Sequence, residues 1–600
     1  MDNPIESGGP ANGESTVAMA IRDVMYPLIF STARRSGAAS AYFRDTSLQK
    51  LVQFFENKGL AALKDEDQRQ QWYEDWIAFQ AAHGLYASLL SPKKYSTLGN
   101  EFDLLRLTRF LEVFAYFSPA HGYSLQVTFL GLFSILMGSN DALKHEAVAD
   151  LEKGAVFAFG ISEKDHGSDL LASEFTIARV AAGRLIANGS KYYIGNANCA
   201  SIIAILARKA DDRSENRASR AKPILVALRP QQSRGFGSVR KIPTLGIRSA
   251  FVGEFEVKDQ ELSEADLIAE GRGAWDAVLG TVTLGKFFLG FGSIGICERA
   301  FEEAVAHLTS RVLYRKPVID MPHIGSAVAQ AYARLTAMKL YAYRALDYVQ
   351  AATADDRRYL LFNAVQKARV STEGVKVGSL LAECIGARGF ESDTYFEMAL
   401  RDVQLIPSLE GSVHINLELT ARFIDGYFNN ADPNLPVPEF TAARRTVPEN
   451  GYLMEARSEQ INTIRFRPYL DGYRSLKSVS NVRTFARQAR AFRHLNRSQS
   501  FQTRQPDAQT AIELGRCMAS IAYGQLVAEN AAHCDVPPQM VSAIFHLLIN
   551  DLSNSALALA SLAQLSDVRG NLIQRMVAIP RTTSAEWNFV LQRARMPTAE

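Results

Sequence analysis

The sequence predicts an α+β protein: an N-terminal helical domain, a central antiparallel β-domain, a C-terminal bundle of long helices and an extra helical C-terminal region. Two observations carry this expectation. Apolar spacing is helical up to about residue 150, breaks into short β-rich runs from Gly154, and turns helical again at about 270. No GxGxxG opens a helix and no GxxxxGK[ST] occurs, so the β-segment is not read as a doubly wound nucleotide fold.

The elements follow in order. Residues 1–18, MDNPIESGGPANGEST onward, are acidic and rich in Gly and Pro, and read as a disordered leader. Within the N-terminal domain (19–153), DLLRLTRFLEVFAYF places apolar residues at three- and four-residue steps, and GYSLQVTFLGLFSILMGS is apolar all round, as a buried helix is. Between 154 and 265, AVFAFGIS, RLIANGSKYYIG, SIIAILAR, ILVAL and VGEFEVK are strand-like runs separated by turns and by the charged loop KADDRSENRASRAK. A four-helix bundle is expected over 266–432. Pro433, Pro436 and Pro438 mark a linker, and 440–600 is a helical extension.

Composition sets the class. With 600 residues, two to four domains are expected; hydrophobic residues are 47% and charged residues 22%, a globular balance. No unbroken apolar run approaches the ~20 residues of a membrane span. Five scattered cysteines without a CxxC exclude a cysteine-built zinc site and give no disulfide framework. No metal site and a cytoplasmic location are the expectations.

Five stretches carry a resemblance. FGISEKDHGSDL (159–170), IANGSKYYIGNA (186–197), PTLGIRSAFVGEFEV (243–257), RVLYRKPV (311–318) and CIGARGFESDTYFEMALRDVQLIPSLEGS (384–412) stand in the order and spacing of acyl-CoA dehydrogenase motifs. The chain thus resembles that flavoprotein family over about 150–425. The resemblance implies FAD as cofactor and α,β-dehydrogenation of an acyl thioester, on coenzyme A or an acyl carrier protein, within fatty-acid and lipid metabolism. Glu410 would take the α-proton and flavin N5 the β-hydride. Such a base needs a poorly solvated carboxylate, and Glu410 lies on a close turn between LIPSL and Gly411-Ser412.

By the same resemblance, Phe159, Ile161, Ser162, Gly167 and Ser168 run along the flavin, with Tyr193 where a Trp is usual. Gly195 stands where a Thr or Ser hydroxyl is usual. Arg311, Tyr314, Glu383 and Gly386 belong to a flavin site shared between subunits, which implies a homodimer or dimer of dimers, and Ser412 follows the base. Substrate contacts fall to Lys286, Ser168 and Gly411. Thr283 and Lys286 replace the usual Asp and Arg, which brings an acyl carrier protein into view beside coenzyme A. The electron acceptor would be an electron-transferring flavoprotein.

Residues 465–504 hold ten Lys/Arg against one acid, Asp471, interleaved with aromatics. They are read as a solvated helix face or a site for an anionic partner: membrane surface, nucleic acid or carrier protein. Two other functions stay open, a flavin oxidase or monooxygenase on the same scaffold and a nucleic-acid-binding flavoprotein.

Overall fold

The computed structural model describes residues 45–180, 183–210, 222–442, 444–457, 460–497, 507–562 and 567–595. The expected leader, the first part of the N-terminal domain and most of the charged loop lie outside them.

Among the described residues, six helices form the N-terminal domain: α1 (Thr46–Arg69), α2 (Glu74–Ala82), α3 (Leu85–Leu90), α4 (Leu104–Phe117), α5 (Pro119–Leu136) and α6 (Asp141–Glu152). Asp103 caps α4 by accepting the Arg106 amide at 3.0 Å, and Pro119, which has no amide hydrogen to lose, opens α5. As its apolar sequence requires, α5 is buried almost all round.

Among the described residues the sheet has eight strands: β1 (Phe157–Gly160), β2 (Thr176–Arg179), β3 (Arg184–Gly195), β4 (Ile202–Lys209), β5 (Pro223–Leu228), β6 (Phe236–Lys241), β7 (Val252–Ser263) and β8 (Leu267–Glu270). Their order is β6-β7-β3-β2-β4-β5-β8, with β1 also on β4. It is a mixed sheet, a correction to the antiparallel expectation, because β1 and β2 both run parallel to β4. Long connections let the chain re-enter in the same direction, and alternation of side chains carries no sign of strand direction. β8 also extends the sheet to Glu270, past the expected boundary at 265.

Then come α7 (Gly271–Ser310), a hairpin of β9 (Val312–Leu313) and β10 (Lys316–Pro317), α8 (Pro322–Gln350), α9 (Tyr359–Val365), a π-helical turn (Gln366–Val370), α10 (Ser371–Ile385), α11 (Tyr395–Leu405), α12 (Val413–Ala421) and α13 (Ile424–Phe428). Between α11 and α12 the helical course is interrupted, because Pro407 and the left-handed residues Glu410 (φ 49°) and Gly411 (φ 89°) form the turn that the sequence predicts around Glu410. Gly295 lets α7 approach α4: a Cβ there would stand 2.0 Å from the Glu112 carbonyl. Beside it, buried Lys339 of α8 bonds Glu112 of α4 at 2.7 Å and Glu298 of α7 at 2.6 Å, joining three helices.

The extension adds α14 (Asp471–Arg474), α15 (Ser480–Arg497), α16 (Ala508–His533), α17 (Pro538–Leu562), α18 (Asp567–Gln574) and α19 (Ser584–Ala594). It folds back on the bundle. Gly515 of α16 lies against the Leu417 carbonyl of α12, and Asp551 of α17 enters a charge cluster with Arg334, Arg369 and Lys376. Among the described residues two helices, α7 and α17, are long and apolar enough to cross a membrane, although no unbroken apolar run is; their most apolar windows are 72% and 61% buried within the protein.

Candidate functional site

The turn between α11 and α12 carries Glu410. Gln126 of α5 donates from Nε2 to Glu410 Oε1 at 2.8 Å and to the Gly285 carbonyl of α7 at 2.9 Å, so one amide ties the carboxylate to two helices. The other oxygen, Oε2, is buried with no hydrogen-bond partner. Gly285 makes this possible, since a Cβ there would come 2.6 Å from Oε2. Burial pushes the carboxyl up to about 7, against the opposing pull of the Gln126 bond and of Lys367 and Lys286.

Both lysines are themselves buried. Desolvation brings Lys286 down to about 8 and Lys367 to about 7, with Glu410 pulling each back. The Lys367 ammonium donates to the Ile406 carbonyl, in the segment leading to Glu410. The Lys286 ammonium therefore stays inside the protein. Gly411 and Ser412 follow on the same turn, and Ser412 caps α12 through the Ile415 amide.

A second group gathers at the end of β3. Tyr193 sits in a bulge at φ 64° with 57% of its surface exposed, an uncommon conformation for an aromatic residue. Ser162 is stitched to the preceding residue: its hydroxyl donates to the Tyr192 carbonyl at 2.7 Å, and the Tyr192 amide returns a bond to the Ser162 carbonyl at 3.0 Å. Its proton is thus spent inside the protein. Phe159 is buried at the end of β1, Ile161 is partly so, and Gly167 and Ser168 are exposed in the loop beyond.

Glu163, between them, accepts from Lys191 at 2.8 Å, Ser173 at 2.5 Å and the Glu174 amide at 2.7 Å, and fixes that loop's base. Asn196 donates to the Ser124 and Phe157 carbonyls, both at 3.0 Å, and pins β3 to α5 and β1. Gly195 presses on α5, where a Cβ would be 2.6 Å from Val127 Cγ2 and 2.7 Å from Tyr123 Cε1.

The remaining expected residues lie elsewhere. Arg311 caps α7, 25 positions from Lys286, or about 37 Å along a helix. Tyr314 follows on the tip of the β9–β10 hairpin, 89% exposed, and Arg315 beside it is also left-handed. Arg311 and Arg388 both hold the His307 imidazole down, after burial, which puts the hairpin near the segment following Glu383 and Gly386. These residues do not converge on Glu410 within one chain. The Arg401–Asp402 pair is architectural: Asp402 accepts the Ile247 amide at 2.7 Å, and Arg401 bonds Asp67 at 2.6 Å.

Gln126, Tyr123, Gly285 and Lys367 were missed in the sequence. The available signal was limited to Gln126, the one amide side chain in a mostly apolar helix.

Comparison with known proteins fits this layout. The family profile for the acyl-CoA dehydrogenase middle domain matches residues 158–260, and that for its C-terminal domain matches 271–424. Over 382 residues the chain is 24% identical to an acyl-CoA dehydrogenase of Bacillus subtilis (strain 168), covering 63% of this chain and 97% of that one. It is equally 24% identical to a cyclohex-1-ene-1-carbonyl-CoA dehydrogenase of Syntrophus aciditrophicus (strain SB), across 57% of this chain and 81% of the relative. A crystal structure of an acyl-CoA dehydrogenase complexed with FAD from Bacillus anthracis superposes with a TM-score of 0.68 at 15% identity, covering 92% of this chain and 94% of that one, so the likeness in fold takes in the C-terminal helices. Residues 158–260 and 271–424 of this chain thus match the middle and C-terminal domains of the acyl-CoA dehydrogenase family.

Proposed function

We propose that this protein is an FAD-dependent dehydrogenase that introduces a trans α,β double bond into an acyl thioester, with Glu410 as the base for the α-proton. The observation that supports this best is the carboxylate itself. Oε1 is held by Gln126, Oε2 is buried without a partner, and the group sits at about 7, where a base is half ready at neutral pH. Gln126 orients the carboxylate through its bond to α7, and Lys286 and Lys367 keep the carboxylate form accessible despite its burial.

The residues at the end of β3 suit FAD. The bulge at Tyr193 turns an aromatic face outward, and Gly167 and Ser168 are open in the adjoining loop. When bound, FAD supplies the hydride acceptor. Ser162 keeps only its lone pairs for a ligand, a change from the donor role expected of it. With Arg311 and Tyr314 exposed far along α7 from Lys286, we assign Arg311, Tyr314, Glu383 and Gly386 to the flavin of a neighbouring subunit in a homodimer. An electron-transferring flavoprotein is the proposed acceptor.

The carrier is coenzyme A or an acidic acyl carrier protein. The second is favoured by α15, where Arg483, Arg487, Arg490, His494 and Arg497 are exposed along one face spanning about 21 Å. Among the described residues none of these forms an ion pair; Arg483, Arg487 and Arg497 bond only neutral groups.

The test is anaerobic titration of the flavin absorbance with acyl-CoAs and acyl carrier protein thioesters, with Glu410→Gln alongside. Bleaching of wild type alone is expected. Equal bleaching of the variant, or protein that holds no FAD, would overturn the reading.

A further inference from the structure

Three side-chain positions meet where β3 ends against α5: Ser162, Gly195 and Tyr123. The Ser162 proton is committed to the Tyr192 carbonyl, and Gly195 has no side chain. Tyr123 fills the place that a side chain at 195 would need, its Cε1 2.7 Å and its Oη 3.0 Å from the ideal Cβ. The same phenol feels Glu410: burial first, then that carboxylate, pushes its ionisation up, so it remains a neutral donor over the working pH range. Tyr123 is three residues before Gln126, on the face of α5 that meets the base. No hydrogen bond from its hydroxyl to the described residues occurs, although the neighbouring Tyr73 and Tyr86 hydroxyls are both bonded.

We propose that Tyr123 is a further catalytic residue, whose hydroxyl donates a hydrogen bond to the flavin where the acyl thioester meets it, between Gly195 and Glu410. This rests on the reading of the protein as an FAD enzyme. A space-filling role would need only a phenylalanine, whereas Tyr123, partly buried, keeps an unbonded hydroxyl proton that a ligand bound beside Glu410 can accept. A fixed donor here stabilises negative charge as it builds on the reduced flavin and on the acyl group losing its α-proton. In this chain the donor comes from the N-terminal helical domain, since the β-domain supplies no free hydroxyl proton at Ser162 or Gly195.

The test uses the holoenzyme. Tyr123→Phe keeps the ring, and so the packing on Gly195. The expected result is a more negative midpoint potential of the bound flavin, measured without substrate, and at least tenfold slower anaerobic bleaching by acyl thioester, at unchanged FAD content and Tm. Wild-type potential and bleaching in Tyr123→Phe would overturn the proposal and leave Tyr123 as filler. A second pair decides the matter even if that variant folds poorly. Tyr123→Ala with Val127→Ala opens room at position 195, and adding Gly195→Ser returns a hydroxyl there. The variant with the serine is expected to recover the potential lost in the one without it; no recovery would count against a hydroxyl role. Because the potential is read without turnover, these outcomes are separate from those of the Glu410→Gln titration.

Discussion

Two clusters of buried charge in the helical bundle are built in opposite ways. In one, Arg334, Arg369 and Lys376 surround Glu373 and Asp551, with Arg334 2.6 Å from Glu373 and 3.0 Å from Asp551. Burial alone would raise both carboxylates, but the cations hold them well below the usual range. In the other, Glu410 faces Lys286 and Lys367, and among the described residues none of the three forms an ion pair. There desolvation wins, and all three groups are displaced toward neutrality. Dense ion pairing makes the first cluster a clasp that fastens α17 to α8 and α10. Incomplete pairing leaves the second reactive, as functional sites often are.

The largest effect should come from the reactive cluster. Glu410→Gln is expected to lower the rate of flavin bleaching by roughly 10²–10⁴-fold, the range for loss of a general base, while unfolding at a Tm no lower than wild type. Stability is unharmed because a carboxyl whose pKa is raised by folding costs stability as pH rises from its unfolded value toward 7.

Asp551→Ala should do the reverse. Stranding buried Arg334 and Arg369 is expected to cost about 3–5 kcal/mol, read as a fall in Tm and faster proteolysis of the extension, with the flavin site retained. The sign with pH is also opposite. The Asp551 and Glu373 pKa values are depressed, so their stabilisation is present above the unfolded carboxylate value and is lost as pH falls through the folded one. A thermal-stability profile that falls with acid in wild type and is flatter in Asp551→Ala would establish this.

Gly285→Ala probes the approach of the base to α7. The added Cβ would meet Leu130 Cδ2 and Glu410 Oε2, so about 1–3 kcal/mol of destabilisation is expected, together with weaker bleaching. Unchanged Tm and activity would mean that the turn carrying Glu410 yields readily.

The smallest effect is a shift in pH dependence. The acid limb of kcat/KM is expected near 7, the position of the Glu410 carboxyl. The Gln126 bond lowers that value, so Gln126→Leu should move the limb upward, with activity lost at pH 7 and largely recovered at higher pH. Lys367→Met should shift it the same way. A limb that stays in place in both variants would detach the profile from Glu410.

The helical and strand segments were legible because burial repeats with their own periods in the chain. The turn at Glu410 was legible because it is local: an apolar run, the carboxylate, then Gly411 and Ser412. Gln126 was not. Its partners are 159 and 284 residues away in sequence, and nothing near it records their arrival. Strand direction was equally hidden, since β1 and β4 alternate the same way whether parallel or antiparallel.

By itself, then, the sequence determined the order of helical and β segments, the positions of the motif residues and the turn that presents Glu410, all set by neighbours along the chain. The tertiary structure decided which charges are paired and which are left without partners. It brought α5 and α7 against Glu410, put Tyr123 in the space left by Gly195, and set Arg311 far from the base. The physical reason is that desolvation and pairing depend on what surrounds a group in space, and those surroundings come from segments that are remote in sequence.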